Sequence, residues 1–501
     1  MAHHRSPKPV VSRSKRIERV WIKANTVELR KLVFDLAHLR NLLLMFILRY
    51  RELYDGYIVN SGILYTSLAE KPNARSKPEK LRRVGEIISN VGRDERLSGI
   101  LELLRKQKGK IDNNCLVQQV IRQVCRDFQN YFKALKAYAK DPDKFAGKPR
   151  VPKPRKLRSI RKFTVEFNKN TFTQQERTII LRLRVKQDIQ YTFKVREGIR
   201  ATSVRVSYYL GQFYADVVYE RTTNPLKPWS NHVAAADLNL DNLIALVSTN
   251  PSVPSIIIDG RELKALNQWF NKIRSKLQSA HDTVSNEIKK LREQKVEIPE
   301  GLLVRKRELW WRLRMLWVYR NKRIRDWFHK LSRSLSEFLY HTGHSVLIIG
   351  TGVLEAKRNS ELDRKVNEKF VPIPYRELIE MLRYKCTEYR IKIVEVPNEQ
   401  YTSMACAVND DIIEIQESEK PKFTGKRVAR GVYRTVLNDK EIEANADVNA
   451  AFNILKLGLR KNLQLTELFP PNVLKWKLCR PVRVKLRALM KLAREPARIT
   501  L

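Results

Sequence analysis

The stretch His232-Val-Ala-Ala-Ala-Asp-Leu-Asn-Leu-Asp-Asn-Leu-Ile-Ala-Leu246 decides the fold. HVAAAD and NLIALVS are short apolar runs joined by a tight polar connection, and PSIIIDG follows closely, so the three read as a meander of buried strands. A long helical stretch comes next, then SVLIIG, the helical pattern YRELIEMLRYKCTEYR and the run IKIVEV. The last helix reads DVNAAFNILKLG.

Three meandering strands followed by strand, helix and strand predict an RNase H-like sheet, in which the crossover helix makes the last pairing parallel. Asp237 ends the first strand, which is usually central in such a sheet, and Asp447 opens the last helix, whose N-terminus faces it. Two carboxylates alone could be an N-cap and a turn aspartate. A third acid in register points instead to metal-dependent hydrolysis. The fourth strand ends in Leu347-Ile348-Ile349-Gly350-Thr351-Gly352, which offers no carboxylate. Its neighbour IKIVEV stops just before Asn398-Glu399-Gln400. Adjacent strands lie ~4.8 Å apart, a gap that a glutamate side chain crosses. Glu399 is therefore expected in the space that a side chain at 350 or 351 would have filled, with Glu355 and Glu395 as fallbacks. Asp237, Glu399 and Asp447 are the expected catalytic residues and metal ligands. Such hard oxygen donors suit Mg2+. A pair of these ions ~4 Å apart would activate water and stabilise the leaving 3′ oxygen, giving a 5′-phosphate product.

Charge indicates the substrate class. The chain carries 98 Lys plus Arg against 53 Asp plus Glu, a formal net charge of +45 spread along its length. That balance predicts a polyanionic partner, because neutralised phosphates release counterions and the field steers association. An anionic membrane is the main competitor, yet the longest apolar run, Leu42–Leu48, is far short of the roughly 18–20 residues a span needs. Met1 opens onto HHRSPKP, without the hydrophobic stretch of a secretory signal, so a cytoplasmic, nucleoid-associated protein is expected. Cys115, Cys125, Cys386, Cys406 and Cys479 include no CxxC pair; reduced, mostly buried thiols are expected, with no zinc and no disulfide framework.

The remaining segments suggest separate parts. Leu29, Leu32, Val33, Leu36, Leu39 and Leu43 lie on one helical face, and further helical patterns run to Lys140. Pro142, Pro149, Pro152 and Pro154 then break the helix in a basic linker. FTVEF, TIILRLRV, ATSVRVSYYL and QFYADVVYE predict a small OB-like antiparallel barrel with a hairpin turn at Gly211-Gln212, completed by the N-terminal IERVWIKAN. The resulting fold class is multidomain α/β with added α and β parts. A barrel (wedge) domain covers 1–25 and 155–228, and a helical recognition domain covers 26–154. The RNase H-like (RuvC) nuclease domain covers 229–403 and 436–465, with a helical insertion at 262–340. A basic insert at 404–435 and a basic tail at 466–501, expected to lie along RNA or DNA, complete the chain. In the insertion, Trp310, Leu313, Trp317, Ile324, Trp327, Leu331, Leu335 and Phe338 are expected to pack. The intervening Arg312, Arg314, Arg320, Lys322, Arg323 and Arg325 are candidate phosphate contacts.

ADLNLDNLIALVSTNP, IDGRELKALNQWFNKIRSKLQS, EQYTSMACAV, TGKRVARGVYR and NADVNAAFNILK together resemble the TnpB proteins of insertion sequences, relatives of type V CRISPR effectors and of the Fanzor nucleases. The resemblance spans about Ala234 to Leu457 and covers the rest of the chain in layout only. It implies an RNA-guided DNA endonuclease that binds a structured guide RNA, recognises a short motif beside its double-stranded target, displaces one strand and cuts in a RuvC site. Within that family the chain looks like the branch with a relocated glutamate and no zinc ribbon, since ACAVNDD stands where other members carry a cysteine pair. Lys422, Lys426, Arg427, Arg430 and Arg434 are then expected to touch nucleic acid without zinc. A nuclease-inactive RNA-guided repressor and an RNase H-like DNA transposase are the alternatives.

Overall fold

The computed structural model describes residues 12–22, 26–68, 78–142, 145, 147–155, 162–209, 212–223, 229–239, 242–356, 373–409, 411, 423–459 and 464–495. The chain divides into two compact units, Arg13–Thr222 and, for the main part of the second, Thr223–Leu501.

The first unit holds helices α1 (Val27–Tyr54), α2 (Ser61–Ser67), α3 (Pro78–Gly92), α4 (Glu95–Lys110) and α5 (Asn114–Lys140). All six apolar residues picked out on α1 are buried. Side-chain caps set the starts: Asn60 Oδ1 accepts from the Gly62 and Ile63 amides, Asp94 from Leu97, and Asn113 from Leu116. The strands are β1 (Ser12–Ile22), β2 (Lys162–Phe167), β3 (Phe172–Gln175), β4 (Thr178–Arg184), β5 (Ile189–Lys194), β6 (Ala201–Tyr209) and β7 (Gln212–Thr223). β1 does join them, beside β7, where Arg19 donates two hydrogen bonds of 2.6 and 2.7 Å to Asp216. Among the described residues the strands form two sheets, β1-β7-β6-β2 and β3-β4-β5, rather than one closed barrel. Alternating apolar residues reveal a strand's buried face but not its partner, which is why the sequence suggested closure. Helices and sheets share one hydrophobic core, from Leu29 and Phe128 to Val165, Leu181 and Val206.

The second unit is built on a six-stranded sheet. β8 (His232–Leu238), β9 (Asn242–Ser248) and β10 (Ile256–Asp259) form the antiparallel meander. β11 (His344–Gly350) pairs parallel with β8, and β12 (Lys392–Val396) pairs parallel with β11. The sixth strand, β16 (Val482–Val484), pairs parallel with β10. A separate antiparallel sheet comprises β13 (Lys426–Ala429), β14 (Val432–Leu437) and β15 (Lys440–Asn445). Helices α6 (Arg261–Glu293) and α7 (Glu300–His341) form the insertion, followed by the short α8 (Gly352–Ala356), α9 (Tyr375–Cys386) and α10 (Ala446–Leu459).

Strand parity divides the core in two. Ala234, Ala236, Ile258, Leu347 and Ile349 face α7 and α9. Ala235, Ala245, Ile257 and Ile348 face α10. Because successive side chains point to opposite faces, Asp237 and Gly350 both belong to the α10 face.

Three expectations are corrected here. Much of the basic C-terminal stretch is part of the fold: it supplies β16, and Leu474, Leu478 and Leu489 are fully buried. Lys477 is buried as well, and donates to the carbonyls of Ser248, Asn250 and Val253. A three-residue strand is too short to leave a periodic signal, and counting charge treats every lysine as exposed. In the insertion, Trp310 and Trp317, expected to pack, are 45% and 39% exposed. Arg320, a candidate phosphate contact, is instead 4% exposed, donating to Asn267 Oδ1 at 2.8 Å. No helix among the described residues is long and apolar enough to cross a membrane.

Candidate active site

Three elements bring the three predicted acids to one region. Asp237 is the penultimate residue of β8, on the face covered by α10, and is 8% exposed. Asn445 Oδ1 accepts from the amides of Asp447 and Val448, capping α10 and fixing Asp447 in its first turn. The register Ile349↔Ala236 sets Gly350 level with Asp237 on the neighbouring strand. Glu399, three residues beyond the end of β12, turns back over this point, and the Gly352 amide donates to its Oε1 at 2.7 Å.

Gly350 is needed for that placement. A Cβ there would lie 2.7 Å from Glu399 Cδ and 2.7 Å from Ile454 Cδ1, and would collide with Glu399 Oε1. The glutamate thus fills the volume that a side chain at 350 would take. Glu395, the fallback on the strand, has the opposite parity to Val394 and Val396 and pairs with Arg383 on α9. The side chain of Glu355 lies outside the described residues.

Electrostatics mark the three as neighbours. Burial, reinforced by the charges of Glu399 and then Asp447, pushes the Asp237 carboxyl up to about 8. The Asn239 amide, donating to Asp237 Oδ2 at 2.6 Å, only partly offsets this. Asp259 at the end of β10 differs, because Arg261 pairs with it at 2.9 Å. A site that penalises its own negative charge gains most from a divalent cation, and three carboxylates are a hard-oxygen donor set suited to one. As the side chains stand, no group of three or more His, Cys, Asp or Glu among the described residues is set to hold a metal ion. The donor chemistry of the three acids fits Mg2+.

Several supporting side chains escaped the sequence reading. Asn242 Nδ2 donates to Asp447 Oδ2 at 2.5 Å while its Oδ1 accepts from Arg483 at 2.5 Å, linking the acid to β16. Tyr375 donates to the Asn239 carbonyl at 2.7 Å. Asn449 and Asn453 clamp the segment after Glu399: Asn449 bonds both Ala405 O and Ala407 N, and Asn453 donates to Thr402 O and Ala405 O. Two buried asparagines at i and i+4 on an apolar helix face were the available signal, since buried amides need partners.

The expected nucleic-acid residues are spread unevenly. Lys422 lies outside the described residues. Lys426, Arg427 and Arg430 are exposed on the β13–β14 hairpin. Arg434 is engaged by Glu441 at 2.8 Å and Glu443 at 2.9 Å, so its charge is already matched. Beneath the hairpin, Asp411 accepts from the amides of Cys406 and Thr424 and from Thr424 Oγ1, and Cys406 Sγ lies 2.9 Å from Thr435 Oγ1. Hydrogen bonds thus join the two ends of this insert.

Comparison with known proteins bears on this unit. Residues 375–454 match the family described as "Cas12f1-like, TNB domain" and residues 216–353 the one described as "Probable transposase". The TnpB-like protein ORF457 of Acidianus two-tailed virus is 28% identical over 234 residues, 46% of this chain and 42% of that relative. The match therefore spans less than half the length of that curated relative. Similar solved structures include a Cas12f1-sgRNA-target DNA complex, with 12% identity, a TM-score of 0.40 and coverage of 88% of this chain and 98% of that one. A CRISPR-Cas12f ternary complex follows at 12% identity and a TM-score of 0.30, covering 85% and 81%. The two family matches fall in order along the part of the chain that carries Asp237, Glu399 and Asp447, and with the curated relative they show that this part is similar to TnpB-like proteins.

Proposed function

We propose that this protein is an RNA-guided DNA endonuclease whose second unit is an RNase H-like, RuvC-type nuclease domain cutting phosphodiester bonds with Mg2+. The observation that carries the reading is the convergence of Asp237, Glu399 and Asp447, from β8, the segment after β12 and α10, on one face of the sheet. Asp237, Glu399 and Asp447 would hold the metal, which when bound supplies a water nucleophile at neutral pH and stabilises the leaving oxygen. The chain's own residues do the rest. Asn239 and Asn242 orient Asp237 and Asp447, the Gly352 amide fixes Glu399, and burial of Asp237 keeps bulk water from its carboxyl. Sequence would be read by pairing between guide and target strand, with the protein holding the heteroduplex by backbone and shape. A net charge of +45 without a base-reading motif suits that division of labour.

A guide-dependent binder that does not cut is the second reading, motivated by the strand end Gly350-Thr351, which carries no carboxylate of its own. One experiment separates the two. Protein purified with its co-expressed RNA should cleave matching DNA in Mg2+ to 5′-phosphate ends, and Asp237→Ala should abolish cutting while sparing binding. Cutting that survives Asp237→Ala removes that residue from catalysis; guided binding without cutting in any divalent metal favours the second reading. End-joining without RNA would make the protein a transposase.

A further inference from the structure

The α6–α7 hairpin carries a surface that the carboxylates do not explain. Trp269, Trp310, Trp311, Trp317 and Tyr319 are 44%, 45%, 43%, 39% and 49% exposed, although aromatic side chains at helical spacing ordinarily pack inward. Trp310, Arg314 and Trp317 fall at i, i+4 and i+7, a single stripe along α7. The Arg314 guanidinium lies 3.8 Å from the centre of the Trp310 ring. Trp317 rests edge-on against Phe270 at 4.7 Å, and Trp269 against Tyr319 at 5.6 Å, so the rings are held in place while staying open to solvent. α7 contains eleven Lys or Arg against four Asp or Glu.

From this we infer that the stripe is a stacking platform for unpaired nucleotides. Ring faces accept any base, guanidinium planes stack on bases, and the surrounding cations meet the phosphates. Charge decides the occupant, since a second copy would bring the same cationic helix against this one. The inference rests on the reading that the chain binds nucleic acid, and is independent of the three acids.

The test measures binding of a fluorescent unstructured RNA, the equivalent single-stranded DNA and a DNA duplex to the full chain in EDTA, across a salt series. Trp310→Ala/Trp317→Ala should weaken single-strand binding at least about tenfold, leaving the salt slope and duplex binding unchanged, because stacking releases no counterions. Loss for RNA alone or DNA alone identifies which strand the platform serves, and either supports it. Should the double variant lose its native circular dichroism, halogenated-pyrimidine crosslinking to the unaltered protein replaces it, with adducts expected on α7 tryptophans. Single-strand binding unchanged in the folded variant, adducts mapping only elsewhere, or concentration-dependent self-association that the substitutions remove would each overturn the platform while leaving the endonuclease reading intact. A chain that binds no nucleic acid in any arm would defeat both.

Discussion

Gly350→Ala is the sharpest perturbation that the structure offers, because it adds one methyl group at the point where two strands share a volume. The new Cβ would lie 2.7 Å from Ile454 Cδ1 and 2.7 Å from Glu399 Cδ, and closer still to Glu399 Oε1. Carbon contacts settle at about 3.5–4.0 Å, so the glutamate must swing away and give up its 2.7 Å bond from the Gly352 amide. Gly350 is not among the residues with positive φ, so backbone strain does not contribute. Overpacking of this kind costs about 1–3 kcal/mol. With Glu399→Ala already present, the two collisions with the glutamate disappear and only Ile454 remains, so the alanine should cost at least about 1 kcal/mol less. Urea denaturation of the parent, both single variants and the double variant in EDTA measures that coupling. Additivity within about 0.5 kcal/mol would refute the shared volume. In a cleavage assay the same reasoning has Gly350→Asp partly restore cutting to Glu399→Ala, since it returns a carboxylate level with Asp237.

Other outcomes follow from single groups. Asn453→Ala removes the donor to Thr402 O and Ala405 O, and should cost about 1–3 kcal/mol by thermal unfolding and slow cleavage by loosening the segment that carries Glu399. Lys477→Met should cost a similar amount or more, because the carbonyls of Asn250 and Val253 lose their partner; burial pushes its amine down to about 7, yet several carbonyl acceptors favour the ammonium, and an unchanged melting temperature would show the bonds to be weak. His344, held between Ser248 and Thr342, has its imidazole pushed down to about 3 by burial, so the folded chain keeps it neutral while the unfolded chain protonates near 6.5. Its share of stability is present above about pH 6.5 and lost as pH falls toward 3, up to about 5 kcal/mol, and His344→Gln should flatten the acid limb of a stability profile.

Much of the second unit was legible because its strands are apolar runs with acids at their ends, a pattern that composition does not blur. Placing Glu399 required only the spacing between strands and the missing carboxylate at Gly350. Asn449 and Asn453 were less visible, because an asparagine on a helix looks alike whether it clamps a loop or meets solvent. The exposed tryptophans of α7 were misread for a related reason: periodicity identifies a stripe but does not say whether another element covers it. Pairing partners were the hardest to infer, as β16 and the two separate sheets of the first unit illustrate. They depend on contacts distant in sequence, which no local pattern records.

Anomalous diffraction from crystals of the RNA–DNA complex grown with Mn2+ tests the central claim most directly. Peaks bounded by the carboxylates of Asp237, Glu399 and Asp447, lost in Asp237→Asn, are the predicted result. Density for Mn2+ away from these residues, with Glu399 still seated on the Gly352 amide beside an empty Asp237, would contradict it.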